Sequence, residues 1–202
     1  MIVIIQARIG SKRLKNKVLT NINQKPLIWY VINQVKKSKN VKKIVIAIPK
    51  KNSDNKLYQY LKDNYNVYRG DEVNVAKRMM FAAKKYNAKF FVRISADSPL
   101  INPKLIDQFI KVKKENKNYD IITNVFPRTF ASGQSIEIIK TQILEKNIKF
   151  MKKNDLEHVT SFFYKNYKNF KIKNIFNKSK KRMIKNSIDT KNDLSKLKHL
   201  IK

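Results

Sequence analysis

The sequence predicts an α/β fold with a mostly parallel sheet and helices on both faces, and three observations carry that prediction. Short apolar, β-branched runs alternate with stretches of helical length from residue 2 to about residue 125, the pattern of repeated βαβ units. Ile2–Ile5 and Ile44–Ile48 are continuously apolar, as strands buried on both faces are. No repeat, linker or low-complexity tail interrupts the 202 residues, so a single domain spanning 1–202 is expected.

The first strand is Ile2–Gln6, and it breaks into a basic loop holding Arg8, Gly10, Ser11, Arg13 and Lys17. A helix over Pro26–Lys37 follows, with Pro26 in the first turn, where its missing N–H costs nothing. Next come strand Lys43–Ile48, helix Ser53–Asn64 with Ser53 as N-cap, strand Asn66–Tyr68, helix Asn74–Tyr86 and strand Phe90–Ile94. Helix Pro103–Asn116 opens on the N-cap Asn102. Strands Asp120–Asn124 and Ser135–Ile139 then appear as the alternation loosens. Residues 126–188 hold a helix around Leu156–Tyr167 and two strand-like runs, Phe170–Ile175 and Met183–Ile188. This small C-terminal arm packs either on a second subunit or as the sheet's antiparallel edge. A final helix, Asp193–Ile201, closes the domain.

Composition excludes several classes. With no cysteine there are no disulfides or thiolate metal sites, and a reducing cytoplasm is the natural compartment. The apolar runs are too short to span a bilayer, and the first residues lack the basic region and long apolar stretch of a signal peptide. A soluble, cytoplasmic protein without a membrane partner is expected. The formal charge of +32 invites a non-catalytic nucleic-acid-binding reading. Against it, the excess is mostly lysine spread along the whole chain, accompanied by the asparagine and isoleucine of an A/T-rich coding sequence. No zinc finger, basic zipper or aromatic RNA-binding signature is visible. Compositional bias is the preferred account of the charge.

Two regions carry chemistry. A strand that ends in a basic, Gly/Ser-containing turn gathers N–H groups and cations at a strand's carboxyl end, where open α/β sheets bind phosphorylated ligands. The alternative is an ordinary solvated loop. With only 14 acidic residues, the placement of each is informative. Asp97 follows the strand Phe90–Ile94, and Asp189 follows the run Met183–Ile188. Carboxylates at strand ends can hold Mg²⁺ against phosphate oxygens; otherwise they are turn or cap aspartates.

Several segments resemble the CMP-sugar cytidylyltransferase family, the acylneuraminate and 3-deoxy-manno-octulosonate cytidylyltransferase-like proteins, and most closely its spore-coat polysaccharide branch. IIQARIGSKRLKNKVL resembles the family's N-terminal QARxGSxRLPGKVL, and Gln24–Leu27 its GKPLL. Tyr68–Glu72 resembles FRGSE, Val92–Ile101 resembles VRITGDCPLI, and Asn124–Thr129 resembles SNxxPRTFP. Glu157–Thr160 matches EHVT, and Ser187–Leu194 resembles LTVDTPEDL. The matches occur in family order from residue 2 to about residue 196.

The resemblance implies a Rossmann-like nucleotide-diphospho-sugar-transferase fold and a reaction in which an acceptor oxygen attacks the α-phosphorus of CTP and pyrophosphate leaves. It implies that Arg8, Arg13 and Lys17 neutralise phosphates with help from backbone N–H groups of the Ala7–Ser11 segment, Gly10 and Ser11 above all. Asp97 and Asp189 would hold Mg²⁺. Ser95 and Arg78 fall where base- and ribose-side contacts lie. Glu137, His158 and Arg128 fall on the side of a small anionic, sugar-like acceptor. His158 would bind its anionic group or assist deprotonation. A homodimer is implied as well. A nucleotidyltransferase that uses another base with a sugar 1-phosphate is the alternative within enzymes. Lys15-Asn16 stands where the family has Pro-Gly, and Ser135, Asn74 and Lys77 stand where it has acids, which removes negative charge from the acceptor side.

Overall fold

The computed structural model describes residues 1–11, 13–178 and 185–200. The strands are β1 (Ile2–Gln6), β2 (Asn21–Ile22), β3 (Lys25–Pro26), β4 (Lys43–Pro49), β5 (Asn66–Gly70), β6 (Phe90–Ser95), β7 (Ile121–Thr123), β8 (Glu137–Lys140) and β9 (Ile172–Asn174). The helices are α1 (Leu27–Lys36), α2 (Asn55–Leu61), α3 (Val75–Lys85), α4 (Pro103–Glu115), α5 (Thr141–Asn147), α6 (Lys153–Glu157), α7 (Ser161–Lys165) and α8 (Lys191–Leu200). Seven strands form one sheet in the order β5-β4-β1-β6-β8-β7-β9, and β2 and β3 form a separate hairpin. β4, β1, β5 and β6 pair in parallel; β8 runs antiparallel between β6 and β7.

Side-chain alternation along the strands builds two cores. Val3, Ile5, Val92 and Ile94 face α1 and α4, packing on Ile28, Val31, Ile106 and Phe109. Ile4, Phe91 and Ile139 face the other way, onto Val75 and Met79 of α3, Leu144 of α5 and Phe163 of α7. Both faces of β1 are therefore dry, which explains its unbroken apolar run. The chain leaves β1 toward β4 and β5, then returns through α3 to place β6 on β1's other side. The strand order reverses between β1 and β6, and a crevice opens at their carboxyl ends.

Several local expectations are corrected. Pro26 lies in β3 and precedes α1, because the hairpin uses it as the partner of Asn21. Ser53 sits in a single 3₁₀ turn, and Asp54 occupies the N-cap position of α2 with no capping bond. Its carboxylate instead accepts the Ile9 N–H at 2.8 Å. Asn102 does cap α4, accepting from the Lys104 N–H at 2.9 Å. The helix expected over Leu156–Tyr167 is two short ones broken at His158–Thr160, since the Thr160 hydroxyl turns inward to Glu137. The segment 126–178 packs on its own chain's sheet, supplying β8 and the edge strand β9. Of the run Met183–Ile188, residues 183–184 lie outside the described residues and 185–188 form no strand; Ile201 also lies outside them.

That last segment is positioned by tertiary contacts. The Asn186 N–H donates to Ser132 O at 2.7 Å, Ser132 and Ser187 hydroxyls meet at 2.6 Å, and the Ile188 N–H donates to Asp97 O at 2.9 Å. Ile188 is buried among Leu14, Ile22 and Leu27. Gly133, at φ +94°, lets this backbone approach: a Cβ there would lie 2.5 Å from the Asn186 carbonyl carbon. Gly133→Ala should destabilise the fold by roughly 1–3 kcal/mol from backbone strain alone, more with the clash. A denaturation midpoint equal to wild type would refute this account of how the segment is held.

Candidate functional site

At the β1/β6 switch point lies a cleft of about 450 Å³, within the usual size range for small-molecule sites. It is lined by Ala7, Arg8, Gly10, Ser11, Arg13 and Lys17 from the loop after β1, by Arg93, Ser95 and Asp97 from β6 and its following turn, and by Gln6, Glu157, His158 and Asp189. Ten of the thirteen site residues expected from sequence therefore share one cavity.

The loop is anchored at Ile9 by Asp54 and farther on by the buried Leu14 and Val18. The Ser11 N–H is spent on Ile9 O at 2.8 Å, so Ser11 does not offer the backbone donor expected of it. Nothing lies within 4 Å of where a Cβ would project at Gly10, so backbone there is open to close approach. Arg8, Arg13 and Lys17 each have an acidic partner. Arg8 pairs with Glu157 at 2.9 Å and Arg13 with Asp189 at 2.9 Å. The Lys17 ammonium lies 3.2 Å from Asp97, 3.4 Å from Asp189 and 2.7 Å from Ile188 O. The Arg8 pair is half exposed on both sides, so exchanging its partner for a phosphate costs little.

Asp97 and Asp189 thus share one cation. No group of three or more His, Cys, Asp or Glu with metal-site geometry exists among the described residues. Two hard carboxylates suit Mg²⁺, which takes one or two carboxylates and fills its octahedron with water and substrate phosphate. The donor set fits.

Asp189 is fixed by the start of α8. Asp193 accepts the Asp189 and Thr190 N–H groups at 2.9 Å each, and its own N–H donates to the Thr190 hydroxyl, a reciprocal helix cap. Burial disfavours the Asp193 charge, but Lys185 and those N–H groups outweigh it and hold the carboxyl at about 2. Asp189 is likewise lowered: burial is overcome by Lys17, Lys185 and Arg13. Both folded values are depressed, so their stabilisation is full above about pH 4 and is lost as pH falls toward about 2. The thermal midpoint should fall over that window, and Asp193→Asn should lower it at neutral pH while flattening the acid fall. An unchanged acid slope in the variant would contradict the assignment.

Three expected residues lie elsewhere. Glu137 is 4% exposed and does not line the cleft, because Arg93, Tyr164 and Thr160 occupy its oxygens. Burial raises its pKa, yet Arg93 and the hydroxyl donors bring it below the usual range. Arg128 is exposed and donates to the Ser135 hydroxyl at 2.9 Å, away from the cleft lining. Arg78 is fully buried beneath the turn after β5, donating to Asp71 O and Glu72 O. Its Nε and Nη2 have no partner among the described residues. Burial, then Arg8, pull it down to about 10.

Sequence reasoning missed Arg93, although a charge inside FFVRIS was a visible flag, and it missed Asp54, for which no local signal exists. Among the described residues, no helix is long and apolar enough to cross a membrane.

Fold and site together define an α/β nucleotidyltransferase, with cations of the basic loop paired to two carboxylates in a switch-point cleft. The chain belongs to the cytidylyltransferase family, whose description matches residues 2–202, and the members of this enzyme class transfer a cytidylyl group from CTP. It is 37% identical over 174 residues to an uncharacterized protein of Methanocaldococcus jannaschii, covering 85% of this chain and 70% of that protein. It is 28% identical over 172 residues to the spore coat polysaccharide biosynthesis protein SpsF of Bacillus subtilis, covering 80% and 69%. A solved cytidylyltransferase from Leptospira borgpetersenii superposes with TM-score 0.92 at 31% identity, covering 98% of this chain and 84% of that one.

Proposed function

We propose that this protein is a Mg²⁺-dependent cytidylyltransferase that moves CMP from CTP to an acidic sugar or related small acceptor in surface polysaccharide synthesis. The observation that supports it best is that Asp97 and Asp189 share one cation, Lys17 of the basic loop. An acceptor hydroxyl oxygen bonds to the α-phosphorus, the bond from that phosphorus to the β-phosphate oxygen breaks, and pyrophosphate leaves. The hydroxyl proton passes to His158, the imidazole lining the cleft. Arg13 and Lys17 hold the β- and γ-phosphates and offset the charge growing on pyrophosphate. Arg8 turns from Glu157 to the same oxygens.

Asp97 and Asp189 are the residues that would hold Mg²⁺. Bound there, the ion supplies charge neutralisation and Lewis-acid polarisation at the phosphates. Positioning and electrostatics do most of the work in this chemistry, so the lack of a cysteine nucleophile is no obstacle.

The test is pyrophosphate release from CTP with a panel of acidic sugars and sugar phosphates. Turnover with CTP well above that with ATP, GTP or UTP is expected. Arg13→Ala should weaken CTP binding roughly tenfold or more by removing a charge-assisted contact. Unchanged CTP affinity in that variant would remove the loop from the triphosphate site.

A further inference from the structure

We infer that Arg93 is the specificity-determining residue that reads the acceptor's oxyanion, an inference that rests on the cytidylyltransferase reading above and adds the acceptor's recognition group. Arg93 is the cation of the cleft lining that comes from a strand, where Arg8, Arg13 and Lys17 come from the loop. Gln6, which its guanidinium contacts, and Ser95 and His158 line the same cleft. The loop cations Arg13 and Lys17 converge on Asp97 and Asp189 instead.

The guanidinium is fixed before any ligand arrives. Nε and Nη2 donate to the Gln6 amide oxygen at 3.1 and 2.9 Å, and Nη1 pairs with Glu137. Glu137 is itself fixed by the Tyr164 hydroxyl at 2.6 Å and the Thr160 hydroxyl at 2.7 Å. The Tyr164 phenol is pushed well above its ordinary range, first by burial and then by the Glu137 charge, so it stays a donor. A guanidinium has five N–H groups. These three bonds leave one N–H on each terminal nitrogen of a side chain that keeps 18% exposure at the cleft.

Two N–H groups from adjacent nitrogens, on a side chain with no freedom left to lose, match a carboxylate or phosphate oxyanion. Glu137 balances the charge, so the burial is affordable without a ligand. The two hydroxyls at Glu137 spread its negative charge away from the cleft. Lysine cannot reproduce this arrangement, because its ammonium is a point charge without the fork. Carboxylate of an acidic sugar and phosphate of a sugar phosphate share this chemistry.

The experiment is calorimetric binding to the CTP- and Mg²⁺-loaded protein of three probes: 3-deoxy-manno-octulosonate, glucose 1-phosphate and uncharged glucose. Wild type, Arg93→Lys and the doubly neutral Arg93→Gln/Glu137→Gln variant are compared. The double variant avoids stranding a buried carboxylate, and circular dichroism of each protein reports its folding. In wild type one charged probe binds and glucose does not; the charged probe that binds identifies carboxylate or phosphate. Both variants should then lose that binding roughly ten- to a hundredfold, the worth of a charged hydrogen-bonded contact, with CTP affinity within about twofold of wild type. Equal binding of the charged probe by Arg93→Lys, no binding of either charged probe to wild type, or a tenfold loss of CTP affinity in folded Arg93→Lys would each overturn the inference. Failure of wild type to bind CTP at all would instead strike the cytidylyltransferase reading.

Discussion

Asp97→Asn should lower kcat by about three orders of magnitude, equivalent to roughly 4 kcal/mol of transition-state stabilisation. Asn is nearly isosteric, so the loss is one of charge at the point where Asp97 and Asp189 share a cation. The scaffold has little reason to fail. The contact that docks the Asp189 segment uses the Asp97 backbone carbonyl, which accepts from Ile188 and survives the substitution. Asp189→Asn should behave alike, with a larger stability cost because Arg13, Lys17 and Lys185 all pair with that carboxylate. Steady-state kinetics with thermal denaturation separate the two effects. Near-full activity in both variants would end the metal-site proposal.

Glu137→Leu should cost about 3–5 kcal/mol of stability, the usual penalty for removing one partner of a buried ion pair. Leucine fills the volume but strands Arg93 and leaves the Tyr164 and Thr160 hydroxyls without their acceptor. Glu137→Gln should recover only part of the loss: its oxygen serves the hydroxyls while its amide N–H groups face the guanidinium. Urea denaturation measures both. Variants within about 0.5 kcal/mol of wild type, the range of ordinary surface changes, would mean that the network contributes no net stability.

The legibility of this chain follows burial. β1, β4 and β6 stood out because packing on both faces keeps most of their positions apolar, and α4 because Asn102-Pro103 is a local start signal. Asp97 was legible for the same reason: it ends such a strand. Asp189 was singled out as the end of the strand-like run Met183–Ile188, yet residues 185–188 form no strand, so that reading gave the residue without the reason for its position. Its backbone is placed by Ser132, by Gly133 and by the burial of Ile188, all of them distant in sequence. The break at His158–Thr160 was invisible because Leu156, Val159 and Phe163 keep a helical spacing, while the reason for the break is a bond to Glu137 across the fold. Glu137 was expected on the acceptor side, but its partner is set by the neighbouring strand, which pairs it with Arg93.

The most direct measurement is thermal stabilisation of the wild-type protein by CTP, GTP, UTP and ATP, each with and without Mg²⁺, at physiological salt. A ligand at about 100 times its dissociation constant adds roughly 2.7 kcal/mol, a readily visible shift. The account predicts stabilisation mainly by CTP and enhanced by Mg²⁺. Equal, salt-sensitive stabilisation by all four nucleotides, indifferent to Mg²⁺, would contradict it and reduce the cleft's affinity to the general attraction of a chain of charge +32 for polyanions.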